Sequence, residues 1–111
     1  KIPLFKGCET LETIEAQKKC TSDNISKHVA KKFKTKLAKK LGLSGSQRVN
    51  VIFKIDTDGK ITDIRARAGH PKLEKEAKRV VKTLPKMIPG KHGGENIKVA
   101  YSLPIIFKAQ E

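Results

Sequence analysis

Tryptophan is missing from this 111-residue chain, tyrosine occurs once and phenylalanine four times, so aromatic residues make up only 5%. That leaves little with which to stack nucleic-acid bases, and a single-stranded nucleic-acid platform is not expected. Acidic residues are also scarce: 11 Asp and Glu stand against 25 Lys and Arg, giving a formal net charge of +14. Long apolar runs are absent, so no segment suits a bilayer-spanning helix, and Lys1 to Lys6 lack the continuous apolar stretch of a secretory signal. If the natural protein is exported or anchored, the part responsible lies outside these residues. Cysteine is limited to Cys8 and Cys20. The pair is compatible with one disulfide in an oxidising compartment or with two reduced thiols, and no CxxC spacing or histidine pair supports a zinc site.

What is present fits one hydrophobic core, the usual outcome at this length. The positive charge asks for an acidic partner or simply solvates the surface, and it is carried by 21 lysines and only 4 arginines. Lysine lacks the planar fork that grips phosphates and base edges bidentately, so charge alone does not select nucleic acid. Residues 1 to 21 read as an N-terminal arm lying over the domain, and residues 22 to 111 as the domain itself. A helix is expected from Ser22 or Asp23 to Gly42, because Ile25, Val29, Phe33, Leu37 and Leu41 recur every fourth residue. The period then falls to two. Val49, Val51, Phe53 and Ile55 mark a strand, Asp56 to Gly59 a turn, and Lys60 to about Ala68 a second strand completing a hairpin.

Pro71 suits the first position of another helix, which Leu73, Ala77, Val80, Val81 and Leu84 carry forward on one face until Pro85. Beyond a glycine-containing loop, Ile97, Val99, Tyr101, Leu103, Ile105 and Phe107 alternate with Lys98, Ala100, Ser102, Pro104, Ile106 and Lys108 as one long strand. Pro104 belongs on an edge, where a missing donor faces solvent. The expected fold is therefore α+β: a three-stranded antiparallel sheet in the order 2-1-3, with two helices packed on one face and the last strand at the edge.

No motif points to catalysis. Asp56-Thr57-Asp58-Gly59 resembles the start of a calcium loop, yet the twelfth position is Arg67 where a glutamate is needed. His28, His70 and His92 have no partner at metal-ligand spacing, Gly90 to Gly94 lacks phosphate-loop spacing, and Glu74 and Glu76 lie on different sides of their helix. No catalytic residue, metal or cofactor is expected. The exposed edge strand remains, either blunted by Lys98, Pro104 and Lys108 against aggregation or open to an added peptide strand.

Several segments together resemble the C-terminal domain of TonB proteins. They are Arg48-Val-Asn-Val-Ile-Phe-Lys-Ile-Asp-Thr-Asp-Gly-Lys-Ile, His70-Pro71-Lys72-Leu73, Pro85-Lys-Met-Ile-Pro-Gly90 and Tyr101-Ser-Leu-Pro-Ile-Ile-Phe107, and the likeness covers about residues 22 to 109. The arm Pro3-Leu-Phe-Lys-Gly-Cys8-Glu9 with Lys19-Cys20 looks like the Bacteroidetes-type variant, which implies a Cys8–Cys20 disulfide. The chain departs from the family pattern at Lys32 to Leu37, where a tyrosine-proline pair is often found, and around Glu95-Asn96, where a proline commonly precedes the last strand.

The resemblance implies a periplasmic energy transducer anchored in the inner membrane by a part upstream and coupled there to a proton-driven motor. It would bind the TonB box of outer-membrane transporters for siderophores or other nutrients. The implied binding strand is Ile97, Lys98, Val99, Ala100, Tyr101, Ser102 and Leu103. Exchange of a strand between two copies, giving a homodimer, is compatible with such an edge. Two other readings stand beside it: a basic anion-binding domain for nucleic acid or an anionic membrane surface, and an accessory domain of a membrane peptidase.

Overall fold

A computed structural model describes residues 1–109, so Gln110 and Glu111, the last two positions of the expected domain, lie outside the described residues. A short 3-10 turn at Cys8–Thr10 leads into helix α1, Ile14–Lys32, followed by a second, five-residue helix α2, Lys36–Lys40. Strands β1, Gly45–Ile55, and β2, Ile61–Arg67, precede helix α3, Pro71–Lys82. Short strands β3, Gly90–His92, and β4, Glu95–Ile97, then lead to β5, Val99–Ala109.

The main sheet has the order β2-β1-β5, with both pairings antiparallel. This is the expected 2-1-3 arrangement, with β5 as the third strand and on the edge. Along β1 the inward Val49, Val51, Phe53 and Ile55 are fully buried, while the intervening Arg48, Asn50, Ile52 and Lys54 are exposed. Ile25 and Val29 from α1, Ala38 from α2, and Leu73, Ala77, Val80 and Val81 from α3 join the same core. The helices thus cover one face of the sheet and the other stays open.

The expected single helix from Ser22 to Gly42 is corrected at its start and in the middle, whereas Gly42, with φ +74°, does close the helical stretch just after α2. The first helix begins at Ile14, where the Thr13 side chain accepts from the Ala16 N–H at 3.0 Å as N-cap. It stops at Lys32, and Phe33 adopts extended backbone angles (φ −71°, ψ 128°). A strict four-residue repeat explains the interruption: each step overshoots a full turn, so the row from Ile25 to Leu41 drifts by about 160° around a straight helix. Breaking at Phe33 resets the phase and keeps Phe33 and Ala38 in the core.

The break exposes backbone groups that α3 satisfies. The Glu76 carboxylate accepts from the Lys34 N–H at 2.9 Å and from Arg79 at 2.7 and 2.8 Å, and Arg79 in turn donates to the Lys32 carbonyl. The hydrogen bonds from Arg79, then the one from Lys34, hold the buried Glu76 carboxyl below its ordinary pKa against the opposing effect of burial.

The arm is more deeply engaged than expected. Leu4 and the fully enclosed Cys8 are buried, and the backbone of Leu4 exchanges two hydrogen bonds with Ile88. The Phe5 N–H donates to the buried Thr21 hydroxyl at 3.1 Å. Cys8 and Cys20 are joined by a disulfide. The division expected between residues 21 and 22 falls inside α1.

The β1–β2 hairpin contains a bulge between Ile52 and Lys54, opposite Asp63, the one non-glycine with positive φ among the described residues. The extra residue shifts the side-chain alternation, so Ile61 and Ile64, an odd number apart, both pack on the core. At the hairpin turn Gly59 (φ +87°) lies under residue 87, and a Cβ there would stand 1.9 Å from the Met87 carbonyl oxygen.

Candidate functional site

β1 occupies one side of β5 in continuous register, from Gly45 opposite Ala109 to Ile55 opposite Val99. Among the described residues no strand pairs with the other side. That side therefore carries the unused hydrogen-bonding groups of an edge strand, interrupted where Pro104 has no N–H. Leu103 and Ile105 point into the core and Val99, Tyr101 and Phe107 are half-buried on the same side, while Ala100, Ser102, Pro104, Ile106 and Lys108 face out.

The expected binding strand is partly redrawn. Val99, Ala100, Tyr101, Ser102 and Leu103 lie on β5, whereas Ile97 belongs to β4, paired with Gly90, and Lys98 sits between the two strands. Gly93 and Gly94, with φ of +59° and +84°, form the two-residue turn that folds β4 back on β3. Two successive positive-φ residues suit a type I′ hairpin, so the chain turns here instead of running straight into the long strand. Beyond the implied binding segment, β5 continues past Leu103 to Ala109, close to the expected end of the long strand at Lys108.

Helix α1 runs beside this edge. The hydroxyls of Ser22 and Tyr101 are 3.0 Å apart, and the Tyr101 ring stacks on Phe53 with centroids 5.4 Å apart. Two hollows flank the contact. One of about 350 Å3 lies between Ser26, Val29, Ala30 and Phe33 on the helix side and Leu103 to Phe107 on the strand. The other, about 250 Å3, lies between Lys18, Thr21 and Ser22, the Ile2-Pro3 segment, and Val99 to Tyr101. Phe33 and Phe107 meet at the far end, their centroids 5.1 Å apart. An apolar shelf thus accompanies the free edge over most of its length.

The helix wall of that shelf was not foreseen. Its signal was present as a row of small side chains, Ser22, Ser26 and Ala30, spaced four apart beside the buried row Thr21, Ile25 and Val29. Small residues at that spacing keep the helix surface low next to the strand.

Other candidate groups do not assemble. His70 caps α3, its Nδ1 accepting from the Lys72 N–H at 3.1 Å, and His28 bonds to Thr83 at 2.8 Å, joining α1 to α3. Burial, then the charges of Lys32 and Lys31, lower the His28 pKa. Asp56 and Asp58 bond to their own turn, to the Thr57 and Lys60 N–H groups. Among the described residues no cluster of three or more His, Cys, Asp or Glu side chains suited to a metal ion occurs, and no helix is long and apolar enough to cross a membrane.

No curated protein matches the sequence. Among solved structures, the solution structure of the Helicobacter pylori TonB C-terminal domain (residues 194–285) is similar in fold, with a TM-score of 0.56 and 24% identity, covering 79% of this chain and 92% of that one. Residues 35–109, which hold α2, the whole sheet and α3, match the family described as Gram-negative bacterial TonB protein C-terminal. With that match spanning most of its length, the chain belongs to the TonB C-terminal domain family.

Proposed function

We propose that the free side of β5 receives the TonB box of an outer-membrane transporter as an added strand, and that tension passes through this pairing to the transporter. Family membership makes the chain a TonB-like energy-transducer domain of a transport-associated, non-catalytic kind. The finer reading is supported chiefly by the unpaired edge of β5 with an apolar shelf alongside it. Main-chain hydrogen bonds to an edge are indifferent to sequence, whereas pockets that take alternate side chains select among partners. The hollows at Val99 to Tyr101 and at Leu103 to Phe107 lie along one strand and suit two such side chains of an extended segment.

A strand pulled along its own axis loads all its ladder hydrogen bonds in shear, which suits a joint that transmits force. In this reading the domain works in the periplasm, tethered by an upstream segment to the inner membrane and its proton-driven motor. The incoming segment is short and gains order on binding, so its affinity is modest.

The test is calorimetric titration with a TonB-box peptide and with a scrambled peptide of the same composition. The box peptide is expected to bind and the scrambled one to bind at least tenfold more weakly. Equal affinities would mean that net charge, and not strand addition, drives association.

A further inference from the structure

Only four arginines occur among 25 basic residues, and three of them stand on the open face of the sheet. The register brings them together. Arg67 lies opposite Asn50 and Arg65 opposite Ile52, while Arg48 is two residues before Asn50 on the central strand. From strand geometry, neighbouring members of this trio are about 7–8 Å apart. All three are exposed, and the Arg48 Nε donates to the Asn50 side-chain oxygen at 3.1 Å, which holds that guanidinium along its own strand toward the position opposite Arg67 and leaves its terminal amino groups free of that bond. Asp63, at the bulge of β2, pairs instead with Lys54 at 3.7 Å and Lys98 at 3.9 Å. Among the described residues none of the three arginines is in an ion pair with an acid.

The same face carries two exposed isoleucines, Ile52 at 52% and Ile106 at 65% exposure. Ile106 lies opposite Arg48, and Ile52 is flanked by Arg65 and Ser102. Planar guanidiniums interleaved with branched apolar side chains match a surface that offers phosphates above a hydrocarbon layer. The helices pack on the other face of the sheet, so this face is left uncovered. A second copy would oppose like charges on this face, and a peptide strand would use the edge.

We infer that the open face of the β2-β1-β5 sheet docks on an anionic phospholipid bilayer, with Arg48, Arg65 and Arg67 on lipid phosphates and Ile52 and Ile106 among the headgroups. The inference is independent of strand addition at β5. It leaves that edge at the margin of the docked face, within reach of a segment emerging from the membrane surface.

The experiment is co-sedimentation of the chain with phosphatidylcholine vesicles with and without phosphatidylglycerol. Binding is expected only to the anionic vesicles. The triple variant Arg48→Glu, Arg65→Glu, Arg67→Glu is expected to bind at least tenfold more weakly, whereas Lys27→Glu, Lys31→Glu, Lys39→Glu, with the same change in charge, loses less than threefold. The double variant Ile52→Ser, Ile106→Ser, which leaves charge unchanged, is expected to lose about threefold or more.

Because the arginine triple could unfold, spin-labelled lipid in anionic nanodiscs provides a second reading on the unaltered chain. Amides of β1 and β2 are expected to broaden before those of α1. Equal losses for the two charge-reversed triples, unaltered binding by the isoleucine variant, broadening centred on α1, or no vesicle binding would each overturn the inference. Loss of anionic-vesicle binding to competition by an acidic protein domain, with no lipid broadening, would reassign the face to a protein partner and likewise overturn it.

Discussion

The Tyr101 hydroxyl meets the Ser22 hydroxyl at 3.0 Å, joining positions 79 residues apart. Through its ring on Phe53 and its hydroxyl on Ser22, one side chain fastens the edge strand both to the central strand and to α1. The wall of the shelf is therefore fixed relative to the edge before a ligand arrives, which lowers the ordering cost of binding.

Filling the shelf is expected to separate binding from folding. Ala30 is exposed and lines the larger hollow, so Ala30→Trp adds bulk where an incoming side chain would lie. The variant is expected to keep its urea midpoint and to bind a TonB-box peptide at least tenfold more weakly by calorimetry. Unchanged affinity would remove the shelf from the binding path.

Acid is expected to destabilise the fold in two stages. His28 has its pKa lowered from 6.5 by burial first and by Lys32 and Lys31 next, so the fold favours its neutral form. That contribution is present above pH 6.5 and is lost as pH falls through the lowered value. Glu76 is lowered from 4.5, chiefly by its hydrogen bonds from Arg79, so its contribution is present above pH 4.5 and is lost below it. Glu76→Gln is expected to cost about 1–2 kcal/mol at pH 7, Arg79 being half exposed and the pair partly screened. Urea denaturation across pH should show the lower stage flattened in Glu76→Gln and the upper stage flattened in His28→Gln.

Opening the Cys8–Cys20 bridge frees a loop with a sequence separation of 12. The chain-entropy argument gives about 3 kcal/mol for a loop of this size. Cys8→Ser with Cys20→Ser is expected to lower stability by that amount in urea and to release the pairing of Leu4 with Ile88, read from exchange of those two amides. A midpoint unaffected by reducing agent would contradict this.

Gly59 tolerates no side chain. A Cβ would meet the Met87 carbonyl at 1.9 Å while the backbone sits at φ +87°, and the Gly59 carbonyl also accepts from the Met87 N–H at 2.8 Å. Gly59→Ala is expected to destabilise by about 2 kcal/mol or more, combining left-handed strain with displacement of that segment. Thermal denaturation of the variant gives the answer.

The sheet was legible because period-two patterning in Val49 to Ile55 and Val99 to Phe107 is strong and buries one face. Pro104 placed β5 on the edge for a local, chemical reason. The helix boundaries were less legible. Thr13 as a cap and the break at Phe33 depend on what the rest of the fold offers: a disulfide-tied arm before α1, and the Glu76 carboxylate waiting for the Lys34 N–H. Ile97 fits the apolar phase of the long strand, and it is the Gly93-Gly94 turn that separates it into β4. The arginine row could not be seen along the chain, since only the pairing of β1 with β2 brings Arg48 next to Arg67, whose own neighbour on β2 is Arg65.

Amide hydrogen exchange along β5, with and without a TonB-box peptide, tests the central claim most directly. Edge amides directed away from β1 are expected to exchange quickly in the free protein and to become protected, on alternate residues between Val99 and Phe107, when the peptide is bound. Protection already present without peptide, or peptide-induced protection appearing only along α1, would contradict strand addition at this edge.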